Sequence, residues 1–562
     1  IGEFVSNGKN TKVEFPVNQY MCFMDRFKWF MDQGDIELEA DQTAAAGSED
    51  LQLSGTNFIS TRPDQDSLAF MAPKARYDLK NHLITANDVP YIQVADAQIT
   101  PDSNRVRIRR NAEMDPITNA VITANFVTKH HTIYNATANI KAKRDYSAVG
   151  DIDYVDETQK KQVIHLDNID VDTAYTTYAR GKLLEKDNFQ LSPYFDFFGD
   201  VHLRANEKPL TFDGQTRIIH VCEGLEKNWM RFRAPIDPAE IFIPVGDSLK
   251  DDIGADIGAG IFISNDDPFT LYGTFLSRKR DGKDRPAIAS RGLLFYDKAK
   301  QEYLIGPKDK IRQRNLPGDL VALNTNSCEI AADGRIGAGL DLGRVSLIDV
   351  GTLKHMPGTK ETTAQVTLTA NFHFLDNALE RMVDEVMAYP DQKQLDLLKT
   401  NYEKTMRELL GLEKSDKLIS ELSLKGEIKK LPDEMARSLV LSDVNLKWDQ
   451  NQEAWVSEGN IGLATVLKKT VFRTLKGKVE LARKRSGDSM TILLMLDDQT
   501  YYYFQYTRNY LYAYSSDQQF NTMLSELKDD KRVLEAKKDD APYQFILTNK
   551  KKVDDFKNRY GL

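Results

Sequence analysis

A chain of 562 residues with 41% hydrophobic and 28% charged side chains can bury a sizeable core, which excludes disorder throughout and any need for metals or disulfides merely to hold together. Its formal charge of -9, from 84 acidic and 75 basic residues, lacks the concentrated positive footprint of a nonspecific nucleic-acid binder. Three widely separated cysteines, Cys22, Cys222 and Cys328, exclude a disulfide-rich module, and without a CxxC spacing they point to neither zinc nor redox exchange.

Taken in chain order, residues 1–50 read as an N-terminal packing segment. In YMCFMDRFKWFM from Tyr20, the spacing of Phe23, Phe27, Phe30 and Met31 predicts a short packed helix. The small, acidic stretch 43–50 predicts a loop. Residues 51–235 read as a repetitive β domain. In RVRIR, Val106 and Ile108 alternate with Arg105, Arg107 and Arg109, which puts aliphatic and cationic side chains on opposite faces of a strand. The strands look short and lack the intervening helices of a Rossmann or TIM-barrel enzyme.

Residues 236–374 predict a second β-rich domain. Its GADIGAGIFIS run places Gly254, Gly258 and Gly260 around Asp256 and Ile257. With neither a GxGxxG placement nor the Lys-Ser/Thr of a phosphate loop, the run is expected to make a bend or bulge instead of a ligand cradle. Long helices appear only at 375–420, a helical connector. There Leu379, Met382, Val383 and Val386 form one apolar face closed by Pro390, and Leu395, Leu398, Tyr402, Met406 and Leu409 form a second, stopped by Gly411.

Residues 421–562 predict an α+β domain with a charged helical cap near its end. The strand-like TYYYFQYTRNYLYAY carries Tyr501, Tyr503, Tyr506, Tyr510, Tyr512 and Tyr514. These are the candidate recognition residues, as an interface or a saccharide-stacking platform, although strand alternation is expected to split them between faces and bury some in the core.

No catalytic, cofactor-binding or metal-binding residue emerges, and no cofactor is expected. His130 and His131 are adjacent and so point apart, while His165, His202 and His220 sit in separate hairpins. The acidic turns at Asp115, Asp266-Asp267 and Asp497-Asp498 suit turn hydrogen bonding. The basic runs 141–144, 278–280 and 483–485 read as solvated turns or strand ends. No stretch is apolar for long enough to span a membrane as a helix.

One local pattern recurs: a strand ending in Tyr77-Asp78, Tyr296-Asp297 or Trp448-Asp449, a polar turn, and another short strand. It predicts a mainly β fold, with repeated hairpins in curved β-jelly-roll or solenoid-like layers and a helical insertion near 375–411. In strand-and-turn texture, residues 75–108 and 132–203, with looser echoes from Leu210 and Gly292, resemble the OstA-like and LPS-transport β-jelly-roll proteins of bacterial envelopes. That resemblance implies an extracytoplasmic open β scaffold, periplasmic or elsewhere in the envelope, that meets an amphipathic lipid or another envelope protein; it carries no functional residue over to this chain. The leading expectation is therefore a noncatalytic envelope scaffold or binding protein with a multivalent β surface. Two alternatives stand beside it: a carbohydrate-active enzyme or carbohydrate-binding protein, and an amphipathic-lipid binding or transport protein.

Overall fold

The computed structural model describes residues 1–6, 11–40, 57–390, 392–426, 428–535 and 542–562. It is mainly β, with 49% of residues in strands and 14% in helices, and its sheets curl into half-barrels. Two compact units divide the chain, one formed by 1–219 and 231–242, the other by 220–230 and 243–562. Among the described residues no helix is long and apolar enough to cross a membrane.

The first unit holds sheets of six, four and eleven strands. The eleven-stranded sheet is an antiparallel meander in which most successive strands pair directly. Alternation builds it, broken once by a three-residue step from Ile133 to Ala136: His131–Ala142 buries Ile133, Ala136, Ala138 and Ile140, and Asp145–Val155 buries Tyr146, Ala148, Ile152 and Tyr154. Register keeps these on one face, with Ala138 opposite Ala148 and Ile152 opposite Ile164; a one-residue slip would turn every one of them outward. Bulges interrupt the ladders on both sides of His131–Ala142, and each adds local twist that bends the sheet around its own core. The core closes on a cluster of aromatic rings, with Phe197 5.1 Å from Phe212 and Tyr154 5.3 Å from Phe189.

The helix expected from Tyr20 is absent. Tyr20–Met24 and Arg26–Phe30 are strands, and Tyr20, Cys22 and Met24 are the buried positions of the first. The four-residue step from Phe23 to Phe27 satisfies a period of 2 as well as one of 3.6, so it could not distinguish them. Tertiary pairing decides: a turn through Asn18 and Gln19 returns the chain so that Val13 faces Cys22 and Phe15 faces Tyr20. The predicted loop 43–50 lies outside the described residues.

The second unit contains a seventeen-stranded sheet and a three-stranded one. Ser489–Met495 is buried along its whole length because helices cover the sheet on both sides. Val553 and Phe556 of the Lys550–Tyr560 helix pack on Leu493, Tyr501 and Tyr503, while Phe520 of Gln518–Ser525 meets Tyr502 and Phe504. The helical insertion is present. Asp376–Ala388 buries Leu379, Met382, Val383 and Val386 as the spacing predicts. The second apolar set behaves differently: Leu397–Lys399 is a single 3-10 turn that leaves Leu398 exposed, and the helix Tyr402–Leu410 starts only after it. Gly411, at φ +77°, ends that helix as expected, and another helix, Leu412–Lys425, follows at once. Two of the three cysteines, Cys222 and Cys328, form a disulfide inside this unit, and Cys22 is free and buried.

Candidate functional site

The six candidate tyrosines lie on the hairpin Tyr501–Thr507 and Tyr510–Ser515. The register sets Tyr503 opposite Tyr514, Gln505 opposite Tyr512 and Thr507 opposite Tyr510. Odd positions of one strand therefore meet even positions of the next. Tyr501, Tyr503, Tyr510, Tyr512 and Tyr514 share one face and Tyr506 lies on the other, so the expected split between faces sets five rings against one. The face is largely occupied by the Lys550–Tyr560 helix. Tyr501 and Tyr503 are buried under it, Lys552 Nζ stands 3.4 Å from the Tyr512 ring centre, and Lys557 Nζ stands 3.9 Å from that of Tyr501. Tyr506 is buried with its hydroxyl donating to Asn509 Oδ1 at 3.0 Å. Tyr510 is the most exposed of the set, with Tyr512 and Tyr514 half-buried.

A larger polar surface lies on the six-stranded sheet of the first unit. Its strands include Arg26–Phe30, Asp35–Glu39, Lys74–Asp78, Leu83–Asn87 and Val106–Ile108. One face buries Leu38, Ala75, Tyr77, Ile84 and Val106. The other carries charge in a regular order: Lys28 pairs across with Glu37, Glu37 with Arg76, and Arg76 with Thr85, which also faces Arg107; alongside, Arg26 pairs with Glu39 and Glu39 with Lys74. Contact-distance ion pairs on this face include Lys28 with Glu3 at 3.2 Å and Lys74 with Asp88 at 3.6 Å, exposed contacts each worth about 0–1 kcal/mol. Asp35, mostly buried, accepts a hydrogen bond from Arg76, and this contact raises the Arg76 pKa further. An open trough of about 920 Å³ runs over this face.

The outer face of the eleven-stranded sheet is built the same way. Tyr134 donates to Asp153 at 2.7 Å, Lys161 lies 2.5 Å from the same carboxylate, and Asp151 sits 2.8 Å from His165 Nδ1. The Asp153 hydrogen bond pushes the Tyr134 hydroxyl up to about 12, and His165 holds Asp151 below the usual carboxylate range.

The acidic turns accept hydrogen bonds as expected. Asp497 takes the Tyr389 hydroxyl and the amides of Gln499 and Thr500, and these hold it at about 2. Of the basic runs 278–280 and 483–485, read as solvated turns or strand ends, Arg278, Arg280, Lys484 and Arg485 are exposed, with Arg278 at the end of the strand Leu271–Arg278, and Arg483 departs from that reading by being buried. Arg278 bonds the buried Asp251 at 2.6 Å, Arg280 lies over Tyr272 at 4.3 Å, and Arg483 lies buried over Phe269 at 4.5 Å; cation–π contact lets a cation sit against an apolar core. Sequence reading missed Asp251 and Phe269 because each lies far along the chain from the cation it meets, and Tyr272 because Arg280 reaches it only by folding back over the strand Leu271–Arg278. The histidines have separate partners: His131 bonds the Glu207 carbonyl and His355 the Thr362 hydroxyl. Among the described residues no group of three or more His, Cys, Asp or Glu could hold a metal ion. Compared with protein-family models and with curated proteins, the chain matches none.

Proposed function

We propose that this chain is a noncatalytic binding or scaffold protein of a bacterial cell envelope that meets another envelope protein through the exposed β faces of its first unit. The observation that carries the reading is the cross-strand order Lys28, Glu37, Arg76 beside Arg26, Glu39, Lys74. It offers a partner many small, evenly spaced polar contacts on a rigid sheet, and such patterned charge sets orientation and register more than raw affinity. The Cys222–Cys328 bridge supports the compartment, since disulfides persist in oxidising surroundings such as the periplasm.

The test is photo-crosslinking in cells from Lys28, Lys74 and Arg107, one position at a time, with alkylation reporting the cysteine state. The expected result is a position-dependent crosslink to an envelope protein, with the crosslink from Arg107 lost when Lys28→Glu and Lys74→Glu are combined, together with oxidised Cys222 and Cys328. No crosslink from any of the three positions, or fully reduced cysteines in cells, would count against the reading.

A further inference from the structure

The glycine-rich run of the second unit does two separate jobs. Gly260, in the strand Ile257–Ile263, allows the strand Arg285–Ala289 so close that a Cβ would lie 2.4 Å from the Ile288 carbonyl oxygen. The bulge that the sequence predicts lies two residues earlier, where the register against Leu271–Arg278 shifts between Gly258 and Ala259. Gly258 faces something else: a Cβ there would stand 3.1 Å from Lys279 Cε. The missing side chain gives Lys279 room to lie back, its Nζ 5.1 Å from the centre of the Phe262 ring.

Beside this pair opens a cleft of about 440 Å³. Val245, Leu249, Ile257 and Phe262, all otherwise buried, contribute its apolar lining, and Lys279 and Arg291 contribute cations. The charges are unequally satisfied. Arg291 is already bound to Asp247. Asp319, also in the lining, accepts the Arg335 amide at 2.8 Å, and burial raises its pKa above the usual carboxylate range. Among the described residues Lys279 has no carboxylate at ion-pair distance; its Nζ lies against the ring, and the nearby Asp256, on which its charge acts, is already paired with Lys250 at 2.5 Å. An apolar floor stabilises a hydrocarbon tail by removing it from water, and an unpaired ammonium beside it suits a single anionic head.

We propose that this cleft binds an amphipathic monoanion, a fatty carboxylate of medium chain length, with Lys279 as its counter-ion and Gly258 as the residue that keeps the cleft open. The site lies wholly within the second unit and does not depend on the surface role proposed for the first.

Calorimetric titration of the intact chain tests this, with sodium dodecanoate below its micellar concentration as the probe and with dodecan-1-ol and acetate as controls. Saturable one-site binding of dodecanoate is expected, with dodecan-1-ol at least about tenfold weaker, as loss of one charge-assisted contact implies. Acetate should not compete. Lys279→Gln should weaken dodecanoate about tenfold, and Gly258→Leu should abolish binding by filling the cleft. The thermal transition of Lys279→Gln, a change at a partly exposed side chain, should match the wild type, so that its weaker binding reports the site and not the fold. No saturable binding, equal binding by Lys279→Gln, or competition by acetate as strong as by dodecanoate itself would overturn the proposal.

Discussion

Cys222 and Cys328 are joined across 106 residues of sequence, with their Cα atoms 5.4 Å apart, and both belong to the second unit. Closing so long a loop removes conformational freedom from the unfolded chain, which in the chain-entropy account is worth about 4–5 kcal/mol. Denaturant unfolding of the paired variant Cys222→Ser/Cys328→Ser should show the second unit's midpoint falling accordingly, and reduction of the wild type should reproduce the shift. Cys22 should take no part, since burial pushes its thiol up to about 12. Native-state alkylation should therefore modify no cysteine, and unfolding without reductant should expose one. An unchanged midpoint would mean that the bridge does not constrain the fold.

Asp349 stands in the strand Ser346–His355 opposite Ile336 on one side and Leu368 on the other, with its Oδ1 unbonded. Full burial among apolar neighbours raises its pKa well above 3.8. A folded-state pKa above the unfolded one means that the folded state holds the proton more tightly. Its contribution is intact below the unfolded pKa and is lost as pH rises, at about 1.4 kcal/mol per pH unit until the folded pKa is passed. Asp349→Asn should thus gain stability relative to wild type as pH increases from 4 to 7. Unfolding curves at several pH values check the slope, and parallel curves for the two proteins would sink the argument.

His355 works in the opposite direction. It is buried, its Nδ1 lies 2.8 Å from Thr362 Oγ1, and desolvation lowers its pKa from 6.5 to about 4. Here the unfolded state binds the proton more tightly. Stability from the neutral ring is complete above pH 6.5 and is lost as pH falls toward 4, again by about 1.4 kcal/mol per pH unit. His355→Gln should flatten the wild-type decline between pH 6.5 and 4 by about that slope, a difference of sign from Asp349→Asn that a single pH series separates.

The β class was legible wherever alternation ran long enough to exclude other periods. Asp145–Val155 alternates buried and outward positions along all eleven residues, and His131–Ala142 does so on either side of one three-residue step from Ile133 to Ala136. Tyr20–Met24 is five residues long, and over that span its apolar positions fit a helix as easily as a strand. What the sequence hides is set by partners far along the chain. The Cys222–Cys328 pairing depends on a fold that brings residues 106 positions apart together. Lys279 reads as one member of an exposed Arg-Lys-Arg run until Gly258 and Phe262, from the neighbouring strand, are placed against it. The tyrosine face follows from the parity of the turn between Thr507 and Tyr510, which no local periodicity reveals.

That parity has a consequence for the tyrosines. Tyr503 and Tyr510 lie on the same face, yet Tyr503 is 1% exposed beside Phe556, at a ring separation of 5.8 Å, whereas Tyr510 is 41% exposed. Removing a buried ring loses its transfer free energy and leaves a cavity, so Tyr503→Ala should cost about 3–5 kcal/mol. Tyr510→Ala, away from the packed helix, should change stability by about 0.5 kcal/mol or less. Equilibrium unfolding distinguishes a core ring from a surface ring directly. A recognition role on this hairpin then has to be carried by Tyr510 with the half-buried Tyr512 and Tyr514. Saccharide or protein binding that survives Tyr510→Ala unchanged while the protein remains folded would remove the hairpin from consideration as a binding surface.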